Sequence, residues 1–117
     1  MAKMRQILVI GNNDNGCTPE LEKIAYDAGK EIAQSNSVLI TGGLGGVMKA
    51  ASHGAKDAGG LTIGIIPQDD SSLANEFCDI VIPSGMGLSR DFLNALSADG
   101  VVAVSYTHLT LPTIYSV

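Results

Sequence analysis

Short, uninterrupted apolar runs alternate along this chain with amphipathic segments of helical periodicity. Ile7–Ile10, Val38–Ile40 and Val101–Val104 lack the apolar-polar alternation of a strand that faces water on one side. Strands of this kind are buried on both faces, and such strands are typical of parallel sheets. The chain is therefore predicted to contain a parallel sheet with helices packed against it.

The order of elements extends this prediction. Helices are expected over residues 19–34, 47–58 and 89–98. At the start of the first helix, Thr18 serves as the cap and Pro19 suits the first helical position. The expected strands span residues 6–10, 38–41, 61–66, 80–82 and 101–104. Strands and helices alternating at this spacing imply right-handed crossovers. The predicted fold class is α/β, a doubly wound parallel sheet in a Rossmann-like three-layer sandwich, incomplete at the C-terminus.

The last thirteen residues, 105–117, differ in character from the rest of the chain. They are rich in hydroxyl side chains, contain no Gly, Asp, Glu, Lys or Arg, and include Pro112. We predict a ligand-binding domain over residues 1–104 and a non-family tail over 105–117 that follows a truncation. A short irregular edge segment is the alternative. Because no helix follows the strand at 101–104, we expect an uncovered apolar face and self-association into a homo-oligomer.

Composition and charge limit the classes of partner. Seven basic and twelve acidic residues give a net charge of −5, which argues against broad binding to nucleic acid or to an anionic membrane surface. The apolar run at residues 7–10 is too short for a signal peptide or a membrane span, so we expect a cytoplasmic protein. Cys17 and Cys78 lack metal-ligand spacing, so reduced thiols are expected, a disulfide stays open, and no structural metal is expected.

Glycines concentrate where strands end. The segment Thr41–Met48 contains four of the fourteen glycines and leads directly into a helix. Glycine lets a backbone approach a ligand closely, and a helix start offers unpaired amides that favour anions. We predict that the amides of residues 43–47 bind an anion, with tight strand-to-helix packing as the alternative. Gly11 and Asn12 follow the first strand and are expected to close one side of the same site.

Three further positions extend the candidate site. Arg90 lies near a predicted helix start, where a cation is mildly disfavoured, so a phosphate partner or a surface pair with Asp91 or Asp99 would explain it. Asn94 follows near the same side of that helix, where it could either hydrogen-bond a ligand or face water. Met48 either packs on a flat ring or fills the core. The candidate ligand-binding residues are Gly11, Asn12, Gly42, Gly43, Gly45, Gly46, Val47, Met48, Gly85, Arg90 and Asn94.

Two other features have simpler explanations. Asp69 and Asp70 could bind a cation as paired carboxylates, but residues 68–75 have the composition of an ordinary solvated loop. Cys17 could have a lowered pKa at a helix start, with a small loop residue as the alternative. No Ser or Cys motif accompanies His53, so no catalytic residue is assigned.

These motifs resemble a known superfamily. Gly42-Gly43-x-x-Gly46-Val47-Met48, followed by Ala50-Ala51, Gly54-Ala55, Ala58-Gly59-Gly60 and the run 62–67, resembles the group that joins molybdenum cofactor carrier proteins to LONELY GUY phosphoribohydrolases. A second stretch is more similar to the carrier branch. It reads Gly85-Met86-Gly87-x-x-Arg90-Asp91-x-x-Asn94-x-x-Ser97-x-Asp99. Asp91 stands where that branch commonly has Asn, and Gly11-Asn12-Asn13 replaces a smaller first loop.

The motifs that this chain shares with the superfamily, and the motif that it lacks, together imply a function. Family members continue after the position of Val104 into Gly-Gly-x-Gly-Thr-x-x-Glu, which this chain lacks, and the phosphoribohydrolases need that Glu beside the Arg matched by Arg90. The leading hypothesis is a carrier of a phosphorylated small molecule, either the molybdenum cofactor or a nucleotide, that is not an enzyme. The alternative is a nucleoside 5′-monophosphate phosphoribohydrolase in an intact parent chain. Nucleic-acid handling, known among distant relatives, is disfavoured by the acidic balance.

Overall fold

The computed structural model describes residues 3–87, 98–104 and 113–116, and the helices and strands lie within these ranges. The strands are β1 (Gln6–Ile10), β2 (Val38–Thr41), β3 (Thr62–Ile66), β4 (Ile80–Pro83), β5 (Gly100–Ala103) and β6 (Thr113–Ser116), and the helices are α1 (Pro19–Gln34) and α2 (Val47–Asp57). Each element predicted within these ranges is present, with boundaries that agree to within one residue. The predicted helix at 89–98 lies almost entirely outside the described residues.

The strands form one sheet in the order β4-β3-β2-β1-β5-β6. β1 to β5 are parallel, and β6 pairs with β5 in the antiparallel direction. The predicted fold class, a Rossmann-like α/β sandwich, is confirmed. β6 was not predicted, because the composition of residues 105–117 suggested no regular element. The β-branched and aromatic residues of Thr113–Ser116 nevertheless suit a strand, and the assignment of 105–117 as a non-family tail stays a prediction.

Both faces of the central strands are buried, as their apolar runs predict. On one face Val9, Leu39 and Val102 pack against α1 and α2. On the other face Leu8 and Ile40 join Ile65 and Ala98. The alternation of neighbouring residues between two cores follows from the two-residue period of a strand.

Helices α1 and α2 pack with their backbones in direct contact. A Cβ atom on Gly29 of α1 would overlap the carbonyl oxygen of Ala51, and a Cβ on Gly54 of α2 would overlap the carbonyl oxygen of Tyr26. These two glycines therefore set the distance between the helices. Since α1 follows β1 and α2 follows β2, the contact also brings the starts of the two helices, and the loops that precede them, side by side at the carboxyl edge of the sheet.

One carboxylate, that of Asp79, links the connection between β3 and β4 to Lys56 of α2 and to Thr62 of β3. Asp79 Oδ2 accepts hydrogen bonds from Lys56 Nζ at 2.8 Å and from the Thr62 amide at 3.0 Å. The Asp79 amide in turn donates to Thr62 Oγ1 at 2.8 Å. Burial raises the pKa of Asp79, but the hydrogen bonds from Lys56 and Thr62 outweigh burial, so the pKa lies below its ordinary value.

We expect Gly54→Ala to destabilise the fold by about 3 kcal/mol, because the added methyl group must push two helix backbones apart. Gly59→Ala is the matched control: a Cβ there meets open space, and only the positive φ of 76° opposes it, at a cost of about 1 kcal/mol. Urea unfolding of both variants measures the difference. Equal losses would contradict the close helix contact.

We also expect Asp79→Asn to reduce the loss of stability on acidification. A carboxylate whose pKa is lowered in the folded state stabilises the fold above its unfolded pKa of about 3.9, and this contribution disappears as pH falls through the folded pKa. The free energy of unfolding of the variant should therefore be lower at pH 7 and fall less between about pH 5 and 2. Asp27→Asn is the control, since its side chain is 56% exposed and its salt bridge is with Lys23 on the surface. A parallel pH profile for Asp79→Asn and the parent would exclude this role.

Candidate ligand-binding site at the carboxyl edge

The sheet order places the candidate site between the ends of its central strands. Strands β2, β3 and β4 lie on one side of β1 and β5 lies on the other, so the order reverses between β1 and β5. Ligands of open parallel sheets bind beyond the carboxyl ends of the strands at such a reversal. The loops that follow β1 and β2 meet at this edge: residues 11–16, here the first loop, and residues 42–46, here the glycine loop. After β5 the structure describes Val104 and then resumes at residues 113–116.

Three hydrogen bonds join the first loop to the glycine loop and to the start of α2. The Val47 amide donates to the carbonyl oxygen of Asn12 at 2.9 Å. The Gly45 amide donates to Asn13 Oδ1 at 3.0 Å, and the Gly46 amide donates to Asp14 Oδ1 at 2.8 Å. Three of the amides predicted to bind an anion, those of Gly45, Gly46 and Val47, therefore have acceptors supplied by the first loop. A ligand anion would have to replace these acceptors.

The glycine loop has this sequence because the first loop lies directly on it. A Cβ on Gly45 would overlap the Asp14 carboxylate, and a Cβ on Gly46 would overlap the backbone of Asn12 and Asn13. Gly46 also has a positive φ of 60°, a conformation that other residues rarely adopt. Gly11 similarly leaves room for the side chain of Val47 at the start of α2. Loop-to-helix packing thus accounts for three of the predicted glycines.

The structure separates the predicted residues of this segment into exposed and buried groups. Gly45 and Gly46 are partly exposed, whereas Gly42 and Gly43 are buried. The Gly43 amide is used internally, donating to Thr41 Oγ1 at 3.0 Å.

The side chains of Val47 and Met48 are in the core, with exposures of 0% and 6%. They point inward because the first turn of α2 packs over the sheet. Met48 therefore follows the core alternative, and neither side chain is placed to contact a ligand.

Two clefts lie on either side of the joined loops. The first, here the strand-end cleft, has a volume of about 380 Å³ and is lined by Asn13, Asp14, Gly45, Lys49, Gln68 and Asn75 among others. The second, here the helix cleft, has a volume of about 250 Å³ and includes Asp14, Cys17, Gly46, Lys49, His53 and Phe77. Asp14 and Lys49 line both clefts. These two residues therefore lie at the boundary between the two clefts.

Lys49 is a residue of this edge that sequence reasoning missed. It occupies the first turn of α2, its Nζ lies 3.5 Å from Glu76 Oε1, and it lies 6.0 Å from the centre of the Phe77 ring. A cation is disfavoured at a helix start, and an anionic ligand there would offset this cost. The sequence contained a usable signal: a lysine three residues after the last glycine of the loop, at a helix start where a cation is disfavoured, as for Arg90.

The β3–β4 connection forms the far wall of the strand-end cleft. Asn75 Nδ2 donates to the carbonyl oxygen of Leu44 at 2.7 Å, and the Asn75 amide donates to that of Gly43 at 2.8 Å. The carbonyl oxygen of Gln68 accepts from the Gly85 amide at 3.0 Å, which brings Gly85 beside this wall. Gln68 Oε1 is buried and has no hydrogen-bond donor among the described residues. A buried acceptor without a donor is costly, so a ligand N–H group is a suitable partner for it.

Two further side chains near the edge, those of Cys17 and Asp70, have local explanations. Burial raises the pKa of the Cys17 thiol, and the Glu22 and Asp14 carboxylates raise it further, so the lowered-pKa alternative is wrong. Asp70 instead caps the short 3-10 helix Ser71–Leu73, accepting from the Ser72 amide at 3.0 Å. Within residues 3–87, 98–104 and 113–116 there is no group of three His, Cys, Asp or Glu side chains that could hold a metal ion.

Arg90 and Asn94 lie outside the described residues, so their roles stay predictions. Asp99, one of the alternative partners of Arg90, is placed at the opposite edge of the sheet, where its Oδ2 accepts from the Gln6 amide at 2.8 Å. None of the helices in the described part of the chain has the length and apolar character needed to cross a membrane.

Solved structures with this fold include cofactor-binding proteins. The molybdenum cofactor binding protein from Rippkaea orientalis superposes with a TM-score of 0.87 and 40% identity, covering 94% of this chain and 67% of its own length. The molybdenum cofactor carrier protein from Chlamydomonas reinhardtii gives a TM-score of 0.81 and 39% identity, covering 88% of this chain. The present chain spans 63% of that algal protein. The resemblance to the carrier group is confirmed.

Sequence comparison gives the same grouping. An uncharacterized protein from Archaeoglobus fulgidus is 42% identical over 112 residues, which are 96% of this chain and 72% of the archaeal protein. The model of the SLOG cluster4 family matches residues 4–115. A match over nearly the whole chain, together with these relatives, identifies this protein as a member of the SLOG cluster4 family.

Proposed function

We propose that this protein binds a phosphorylated small molecule of the molybdenum cofactor type at the carboxyl edge of its sheet and carries it without making or breaking bonds. The observation that carries the proposal is the likeness, at 40% identity, to a protein described as binding the molybdenum cofactor. The polar strand-end cleft at the expected edge supports it. A nucleotide remains the second candidate ligand, while the phosphoribohydrolase alternative gains no support from these observations.

The residues of the strand-end cleft suit such a ligand. The buried Gln68 Oε1 has no donor among the described residues, and a pterin ring carries N–H groups that can supply one. Lys49 offers a positive charge at the same cleft for a phosphate group. The Gly45 and Gly46 amides can also donate to the phosphate group once they no longer donate to the side chains of Asn13 and Asp14.

In this proposal the residues of the chain bind the ligand, orient it and shield it. Lys49 and the two amides hold the phosphate, Gln68 orients the heterocycle, and the predicted Arg90 and Asn94 add a counter-charge and a hydrogen bond. The bound cofactor would supply molybdenum redox chemistry only to an enzyme that receives it. We also propose that the protein is a cytoplasmic homo-oligomer and that nucleic acid is not its partner. The net charge of −5 supports the last of these points.

We expect Gly45→Val to abolish binding of the molybdenum cofactor to the purified full chain, because its side chain would fill the space between the loops. Anaerobic fluorescence titration measures the affinity, and Gly59→Ala, at the far end of α2, is the control that should bind like the parent. Circular dichroism verifies folding of each variant. Parent-like binding by Gly45→Val would show that the ligand site lies elsewhere.

We expect Arg90→Ala to weaken binding of the phosphorylated cofactor by about 1.5 to 3 kcal/mol, the range for a hydrogen bond to a charged group. The dephosphorylated form should bind the variant and the parent alike. Calorimetric titration with the two ligand forms measures this contrast. An equal loss for both forms would mean that Arg90 supports the fold rather than the phosphate.

A further inference from the structure

Asp14 places a carboxylate where an anionic ligand is expected to bind. Its Oδ1 accepts from the Gly46 amide at 2.8 Å, beside Asn13 Oδ1, which accepts from the Gly45 amide at 3.0 Å. Both acceptors come from the first loop, 32 residues earlier in the chain than the amides they contact. The protein thus supplies its own negative charge to the glycine loop.

The position of Asp14 between the two clefts is a second and independent observation. The strand-end cleft of about 380 Å³ and the helix cleft of about 250 Å³ both include Asp14 in their walls. Moving this side chain away would enlarge both clefts where they share a wall. Lys49 lines both clefts from α2, so it would remain beside whatever enters them.

The outer part of the first loop, residues 13–16, is attached in a way that permits this movement, while the Asn12 carbonyl keeps its hydrogen bond from the Val47 amide. Residues 13–16 are exposed, whereas the glycine loop beneath them is partly or fully buried. The Asn13 and Asp14 side chains contact the glycine loop through one hydrogen bond each, and exchanging a carboxylate for a phosphate oxygen conserves a charge-assisted bond. The exchange therefore leaves the Gly46 amide with an acceptor.

We propose that Asp14 is a built-in competitor of the ligand: an anionic group enters by displacing the Asp14 carboxylate from the Gly46 amide, the first loop opens, and Lys49 becomes the counter-charge. Return of Asp14 would then favour release. This inference rests on the proposed function for the identity of the natural ligand. It assigns to Asp14 and Lys49 opposite effects on the affinity of the same site.

Inorganic phosphate is the probe that tests the exchange on the full chain. Its affinity and the shifts of the Gly45 and Gly46 amide signals are followed by two-dimensional nitrogen-15 NMR, with sodium chloride matched for ionic strength. We expect phosphate to shift these two signals in the parent. Asp14→Ala should bind phosphate about tenfold more tightly, and Lys49→Gln should bind it about tenfold more weakly.

Two further variants keep the test decisive. Asp14→Asn removes the charge but retains an acceptor, so it should also tighten phosphate binding and serves if Asp14→Ala does not fold. Glu20→Ala removes a carboxylate from the first turn of α1, outside both clefts, and should leave phosphate affinity within about twofold because solvent screens it. Equal gains in Asp14→Ala and Glu20→Ala would overturn the proposal, because they would indicate a general charge effect.

The outcome also separates this inference from the carrier proposal. If the molybdenum cofactor binds while the Gly45 and Gly46 amide signals stay unmoved, the carrier function stands and the displacement of Asp14 is wrong. If phosphate displaces Asp14 but the cofactor does not bind, the displacement stands and the carrier proposal is wrong. No phosphate binding by folded Asp14→Ala or Asp14→Asn would also refute the displacement.

Discussion

The close contact between α1 and α2 is the constraint on which the carboxyl edge depends. Gly29 and Gly54 allow the helix backbones to touch, since a Cβ at either position would overlap a carbonyl oxygen of the other helix. The starts of the helices are consequently adjacent, and the loops that lead into them interlock through the hydrogen bond between Asn12 and Val47. A wider helix pair would separate the first loop from the glycine loop and leave the amides at the start of α2 to water.

This arrangement changes how the glycine loop can bind an anion. Amides at a helix start are commonly pictured as open to a ligand, but buried or partly buried donors in folded proteins are nearly always paired. Here Asn13 and Asp14 pair with Gly45 and Gly46, so binding of an anion to these amides would be an exchange of acceptors. An exchange has a smaller free-energy gain than filling an unpaired site. A carrier that must release its ligand is served by such a balance.

Much of the fold was predictable because it depends on local patterns. Apolar runs located the strands, and Thr18 with Pro19 located the start of α1. The interlock was not predictable, because the polar composition of residues 12–15 does not show which amides their side chains meet. The sequence left Met48 between the core and a ligand, and only the packing of the first turn of α2 over the sheet shows that Val47 and Met48 both face the core. Lys49 carried a usable signal, the unfavourable cation at a helix start, that was applied only to Arg90.

Hydrogen exchange of the backbone amides, with and without the molybdenum cofactor, tests the location of the site most directly. We expect the cofactor to slow exchange in the glycine loop and at the start of α2, where it contacts amides. Exchange in the first loop should become faster, because Asp14 is released. Protection confined to segments away from residues 11–16 and 42–49 would contradict a ligand site at this edge of the sheet.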